Sequence, residues 1–186
     1  MLEVFDQVSL WRNNFKPGED VIALAGHKDI TPLPACAIDS TAEKLIAVAG
    51  KDHRDVQNLS LPFNPQTILF FYCGNLSKSK ELFADYPVNS DDKPVIQYMA
   101  PRTYRNKTDT AIPWFVGPRI AGLVEEIQRR CPADRDPLLV NRTAANRRLP
   151  AAGAAFYSTR MWEIIGNEKE CRQSWQRFVD AWTNRK

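Results

Sequence analysis

Residues 68–73 read Ile-Leu-Phe-Phe-Tyr-Cys, an unbroken apolar run that stops at Gly74-Asn75. The run has the length of a β-strand, and because it does not alternate between apolar and polar residues, both faces of such a strand would be buried. Ser77 then stands where it can cap a helix, since its hydroxyl can accept a hydrogen bond from a free N–H of the first turn. The stretch predicts a central strand, a tight turn and a helix, which together make half of a βαβ unit.

Short apolar segments elsewhere in the chain predict further strands, with helices between them. A docking helix is expected in residues 1–18, and a second helix is expected after the capping box that begins at Ser40. The Arg- and Ala-rich stretch at 141–155 reads as a loop or a frayed helix. The predicted strands are residues 21–25, 35–38, 94–99, 112–116 and 138–140.

Residues 118–131 give the clearest helical pattern in the chain, and Pro118 suits its first turn. Apolar side chains recur on one face at the spacing of a helix, so this face is expected to pack against the core. They are Ile120, Leu123, Val124, Ile127 and Cys131. Glutamates four residues before arginines favour ion pairs on the outer face, namely Glu125–Arg129 and Glu126–Arg130.

A second clear helix follows Asn167, which can cap it, and the acids Glu168 and Glu170 suit the positive end of its dipole. One stripe of this helix is apolar and is expected to face the core. The stripe consists of Cys171, Trp175, Phe178 and Trp182.

The alternation of strands and helices predicts a single α/β domain over residues 1–186. We expect a small, mostly parallel sheet flanked by helices in three layers, with an α-helical and Arg-rich C-terminal half. At 186 residues the chain can bury a core without disulfides or metals. The four cysteines include no CxxC pair, and no leader or long apolar segment occurs. The sequence therefore predicts a soluble cytoplasmic protein with no membrane contact, metal site or cofactor.

Charge is distributed unevenly along the chain. Residues 1–101 contain 9 Lys and Arg against 13 Asp and Glu, whereas residues 102–186 contain 16 against 9. Six arginines fall within residues 129–148. Guanidinium groups pair with phosphate or carboxylate groups in a bidentate geometry. The basic half therefore predicts an anionic partner, which is nucleic acid, a nucleotide-like ligand or an acidic protein surface.

Candidate site residues follow the predicted strands. In open α/β sheets, ligands bind beyond the carboxyl ends of the strands, and here the residues at those positions are polar and mostly cationic. Together with helix N-termini they would surround a phosphate group, while His27 and Asp29 would supply acid–base chemistry. The expected phosphate contacts are Ser77, Lys78, Arg102, Arg105, Arg142, Arg147 and Arg148.

Other functions stay open on the same sequence. Cys36 precedes a capped helix whose N-terminus would favour a thiolate, so a Cys36–His53 dyad would suit a thiol hydrolase. A transferase would place its site at the carboxyl edge of the sheet. A protein-interaction or inhibitor module would present the basic face to an acidic protein. The turn after residues 68–73 is not a P-loop, because the second glycine of GxxxxGK[ST] is missing.

Overall fold

The computed structural model describes residues 2–12, 22–28, 36, 40, 65–84 and 118–183. Helix predominates in these ranges. The strands are β1 (Gln7–Arg12), β2 (Ile22–His27) and β3 (Tyr72–Asn75). The α-helices are α1 (Pro118–Arg130), α2 (Ala144–Ile165) and α3 (Glu168–Thr183). Short 3-10 helices at Pro65–Phe71, Leu76–Lys78 and Lys80–Phe83 flank β3.

The strands of the described ranges form an antiparallel sheet in the order β2-β1-β3. The prediction of a mostly parallel, three-layer α/β sheet is therefore wrong. Its central strand, β1, lies in residues 1–18, where the apolar spacing favours a helix. Val8, Ser9 and Leu10 are all buried, so burial does not alternate along β1. In so short a segment the apolar residues fit the period of a helix and that of a strand. The segment is a strand because it forms backbone hydrogen bonds with β2 along one edge and with β3 along the other.

The apolar run at residues 68–73 is buried as predicted but has a different backbone. Pro65–Phe71 is a 3-10 helix, and β3 begins only at Tyr72. Leu69 and Phe70 are both fully buried, at 0% exposure. A continuous apolar run indicates burial on all sides, and a buried strand and a buried helical segment share this property. The run therefore predicts the core but not the backbone type.

Asn75 rather than Ser77 caps the segment after β3. Its side-chain oxygen accepts a hydrogen bond from the Ser77 N–H at 2.8 Å. The Ser77 hydroxyl oxygen instead accepts from the Val8 N–H of β1 at 3.0 Å. The α-helix expected here is replaced by the 3-10 helices Leu76–Lys78 and Lys80–Phe83.

The other predicted strands have mixed outcomes. The strand at 21–25 is confirmed as β2. The strand at 138–140 is wrong, because these residues form a turn in which the Leu139 and Val140 N–H groups donate to the Asp136 carbonyl. Cys36 has helical backbone, so the strand at 35–38 is wrong at this position. The segments 94–99 and 112–116 and the helix after Ser40 lie outside the described residues.

α2 is the central helix of the described structure, although the sequence predicts a loop or a frayed helix at 141–155. β3, α1, α3 and the 3-10 helix Pro65–Phe71 all pack against it. Its buried residues include Ala152 and Tyr157 and face several directions, so the helix has no single apolar stripe. Pro150 also lies inside it and lacks the N–H that a helix interior uses. Because of these two features, the sequence gives no clear signal for this helix, although it is 22 residues long.

α1 and α3 are confirmed. α1 buries its whole predicted apolar face, and Asn167 caps α3 by accepting from the Glu170 N–H at 3.2 Å. The stripe on α3 is buried at Phe178, whereas Trp175 is 48% exposed. The Glu126–Arg130 pair forms at 2.6 Å. The predicted partners Glu125 and Arg129 pair elsewhere, with Arg177 and Glu126 respectively.

Two glycines give a matched pair of stability predictions. Gly74 has a φ of 128°, and a Cβ there would lie 2.8 Å from Ile127 Cγ2. We expect Gly74→Ala to lower the free energy of unfolding by about 1–3 kcal/mol. Gly122 lies inside α1, where a Cβ would meet no atom within 4 Å. We expect Gly122→Ala to raise the free energy of unfolding by about 0.5–1 kcal/mol. Urea denaturation measures both changes, and shifts of the same sign would contradict the structure.

Candidate functional site

Five arginines of the described helices are held in ion pairs. Glu126 accepts hydrogen bonds from Arg129 and Arg130, which lower the pKa of this carboxyl group to about 2. Arg177 of α3 pairs with Glu125 of α1 at 2.7 Å. The remaining pairs are Arg160–Glu163 and Arg172–Glu168. Carboxylates of the chain itself therefore neutralise these guanidinium groups.

Arg135, Arg147 and Arg148 have no acidic partner within the part of the chain that the structure describes. Arg135 lies in the loop before α2, and Arg147 and Arg148 lie near the beginning of the helix. Arg135 and Arg148 are exposed, and Arg147 is half-buried. We call these three residues the basic start of α2. The stretch 131–159 adds only the acids Asp134 and Asp136 and the buried Arg142.

The backbone at this end of α2 adds to the positive potential of the side chains. Thr143 caps the helix, since its hydroxyl oxygen accepts from the Asn146 N–H at 3.2 Å. The aligned peptide dipoles of this 22-residue helix place partial positive charge at its N-terminus. An anion beside this end would meet both the helix dipole and guanidinium groups.

A buried hydrogen-bond centre at Asp136 anchors the loop 131–143. Asp136 is 1% exposed, and its carboxylate accepts from the Tyr72 hydroxyl at 2.7 Å and from the Leu138 N–H at 2.9 Å. Burial raises the pKa of Asp136, and burial together with the Asp136 charge raises the pKa of Tyr72 well above its ordinary value. Because Tyr72 belongs to β3, the loop that presents Arg135 is fixed to the sheet.

Arg12 and Arg142 belong to the interior. They are 4% and 5% exposed, respectively. The guanidinium carbon of Arg12 lies 3.3 Å from the centre of the Tyr157 ring, a cation–π contact between β1 and α2. The sequence offers Arg142 as a phosphate contact, but its burial keeps the guanidinium away from a macromolecular surface. We therefore leave Arg142 out of the candidate site.

The predicted strand-end residues lie at one end of the sheet, because β2 and β3 both run antiparallel to β1. His27 ends β2 and is exposed, and Lys78 is exposed shortly after β3. Ser77 is occupied by its hydrogen bond from Val8. Of the two residues predicted to hold an anion here, Lys78 has its charged group at the surface and Ser77 has a structural role.

The other predicted site residues are not brought together in the described structure. Asp29, His53, Arg102 and Arg105 lie outside the described residues. Cys36 is described alone, as an exposed residue in helical conformation. The acid–base pair and the thiol dyad therefore remain sequence predictions.

The buried thiols are unsuited to nucleophilic chemistry. Burial raises the pKa of Cys73 to about 12 and that of Cys131 to about 11. Both groups are therefore protonated at neutral pH, whereas the thiolate is the reactive form. Within the described ranges, no three His, Cys, Asp or Glu side chains lie together as metal ligands.

The sequence identifies Arg147 and Arg148 but misses the helix that presents them. Thr143 is the available signal, since a threonine before an Ala-Ala-Asn turn is a good helix cap. Pro150 lies seven residues later and lacks the N–H that a helix interior uses, so it argues against a helix despite the Thr143 cap.

No protein-family model, curated protein or solved structure matches this chain. Among the residues that the structure describes, no helix combines the length and the apolar composition needed to cross a bilayer. The function of the chain is therefore inferred from its own residues and contacts.

Proposed function

We propose that this protein binds nucleic acid through the basic start of α2. The observation that supports this function is the division of the arginines into two kinds. Those on the outer faces of α1 and α3 are paired with carboxylates, whereas Arg135, Arg147 and Arg148 have no acidic partner in the described structure. Charge left unpaired in one region favours an external anion.

Phosphate is the anion that fits this arrangement best. Arginine offers a planar fork of N–H donors that matches phosphate oxygens. The N-terminus of α2 contributes backbone dipoles with the same sign of charge. Successive phosphates along a nucleic acid would contact Arg147 and Arg148 at the beginning of α2 and Arg135 in the preceding loop. Base stacking is not required, so the binding we propose is independent of sequence.

We infer a cytoplasmic location from the free thiols of the chain. All four cysteines are free, and Cys73 and Cys131 are buried in the core without a bridge. Thiols in such positions stay reduced in a compartment kept reducing by glutathione and thioredoxin.

Changing Arg147 and Arg148 together to alanine is expected to weaken binding and its dependence on salt. Each phosphate contact contributes about 0.9 to the slope of log K against log salt for duplex DNA and about 0.7 for single strands. Loss of two contacts should therefore lower the slope by about 1.8 or about 1.4. Fluorescence anisotropy with short labelled DNA and RNA, titrated from about 50 to 200 mM salt, measures this change.

The double variant Arg129→Ala/Arg172→Ala is the matched control. It removes the same charge from two exposed arginines that are already paired, and we expect the salt slope to stay unchanged. Equal loss of slope in both double variants would show that only net charge matters. Absence of salt-dependent binding by the unaltered protein would refute the nucleic-acid proposal and direct attention to an acidic protein surface.

A further inference from the structure

Helices α1, α2 and α3 border a cavity of about 550 Å³ that is wide open to solvent, at the end of the helical layer away from the basic start of α2. Its wall on α2 begins at Ser158, which lies roughly 15 Å along the helix from Arg148 at a rise of about 1.5 Å per residue. The volume lies within the range of roughly 300–1,000 Å³ that is usual for small-molecule sites. The cavity is therefore a separate candidate site, large enough for a small ligand.

The charges around the cavity favour a cation. Arg177 is its basic residue, but its guanidinium already pairs with Glu125 at 2.7 Å and donates to the Ser174 hydroxyl at 3.0 Å. Glu170 also lines the cavity, is half-buried and has no ion pair in the described residues. The cavity lining therefore contains one more carboxylate than guanidinium group, which favours a cationic ligand over an anionic one.

The remaining lining residues supply a surface and acceptors for an ammonium group. Trp162 is half-exposed in the wall, and the face of an indole attracts cations. The Gln176 side-chain amide N–H₂ donates to Asp180 at 2.8 Å, which leaves its carbonyl oxygen to accept. Gln173 adds a second amide at the same wall. The floor beside Gly122 is open, because a Cβ there would meet no atom within 4 Å.

We propose that this cavity binds a small aliphatic primary amine in its protonated form. The ammonium group pairs with Glu170 and lies against the face of Trp162, while its N–H groups donate to glutamine carbonyl oxygens. The alkyl part lies over the floor formed by Ala121 and Gly122. A primary ammonium fits better than a quaternary one, because the site offers hydrogen-bond acceptors.

Binding of n-butylamine to the full chain tests the site, with n-butanol and n-butyrate as probes of equal length and different charge. We expect n-butylamine to shift the indole signal of Trp162 in ¹H–¹⁵N spectra, with that signal assigned through Trp162→Phe. We expect Glu170→Gln to weaken the affinity by about five- to tenfold. Glu168→Gln removes a nearby charge that pairs with Arg172 outside the cavity, and it should leave the affinity unchanged. Gly122→Phe should place a ring over the floor where the alkyl part lies and weaken binding in a folded protein.

Several results would overturn the proposal. These are failure of n-butylamine to bind, equal binding of n-butanol, preference for n-butyrate, or the same affinity in the Glu170→Gln and Glu168→Gln variants. An unchanged affinity in a folded Gly122→Phe variant would place the amine elsewhere and refute the cavity. Butylamine binding should also survive the Arg147→Ala/Arg148→Ala change, because the two sites are separate.

Discussion

Replacing Phe70 with alanine is expected to lower the free energy of unfolding by about 3–5 kcal/mol. Phe70 is fully buried, with ring centres of Phe156, Phe178 and Trp182 at 5.7, 6.4 and 6.2 Å. Its ring thus connects the 3-10 helix before β3 to both α2 and α3. Truncation removes these aromatic contacts and leaves a cavity that the surrounding helices can only partly close.

Urea or guanidinium denaturation followed by circular dichroism measures this loss. Because small domains are stable by only about 5–15 kcal/mol, Phe70→Leu serves as a milder variant that should remain folded and show a smaller loss. Trp175→Ala is the matched control on the same aromatic group, since Trp175 is 48% exposed and contacts Phe178 at 5.0 Å. We expect that control to cost about 0.5–1.5 kcal/mol. An equal loss from Trp175→Ala and Phe70→Ala would contradict the central position of Phe70.

Burial on one face made two helices predictable from sequence. α1 buries Leu123, Val124 and Ile127 and exposes its acids and arginines, so its apolar residues follow the period of the helix. α3 begins with a capping asparagine and two acids, which mark its start independently of packing. In both helices the local sequence signals agree with the tertiary contacts.

α2 and β1 were not predictable for the opposite reason. Several elements pack against α2, and its buried residues, Ala152 among them, do not follow a single helical stripe, so the sequence shows no clear helical period. β1 is a strand because β2 and β3 pair with its two edges, and β3 lies more than fifty residues away in sequence. Pairing at that separation is a property of the whole fold, and apolar spacing over six residues does not show it.

For the candidate site, the sequence predicted that arginines are concentrated in one stretch but not which of them are accessible to a ligand. Sequence places Arg129, Arg142 and Arg148 in one basic stretch, yet the three differ completely in the structure. Arg129 is paired with Glu126, and Arg142 is buried in the interior. Arg148 is exposed and has no acidic partner in the described part of the chain. Charge counts report how many guanidinium groups exist, whereas packing determines which of them can meet a ligand.

Replacing Asp136 with alanine is expected to lower the free energy of unfolding by roughly 2–5 kcal/mol. The change leaves the Tyr72 hydroxyl and the Leu138 N–H without their acceptor, and a buried donor left unpaired costs about 1–3 kcal/mol. Asp136→Asn keeps the shape and one oxygen acceptor, so its loss should be smaller. Tyr72→Phe, combined with each variant in a double-mutant cycle, isolates the energy of the Tyr72–Asp136 bond. Additive losses in that cycle would contradict the bond.

Asp136 also gives the folded protein a defined pH dependence. Burial raises the pKa of this carboxyl group above its ordinary value of 3.8, so the folded chain keeps a proton that the unfolded chain releases. The folded state binds more protons in this range, and its stability therefore falls as pH rises from about 3.8 through the raised pKa. Asp136→Asn does not titrate and lacks this contribution. Urea denaturation of both proteins across this pH range should show the advantage of the natural chain over Asp136→Asn shrinking as pH rises. A difference that grows or stays constant would mean that the carboxyl group is not destabilised by its burial.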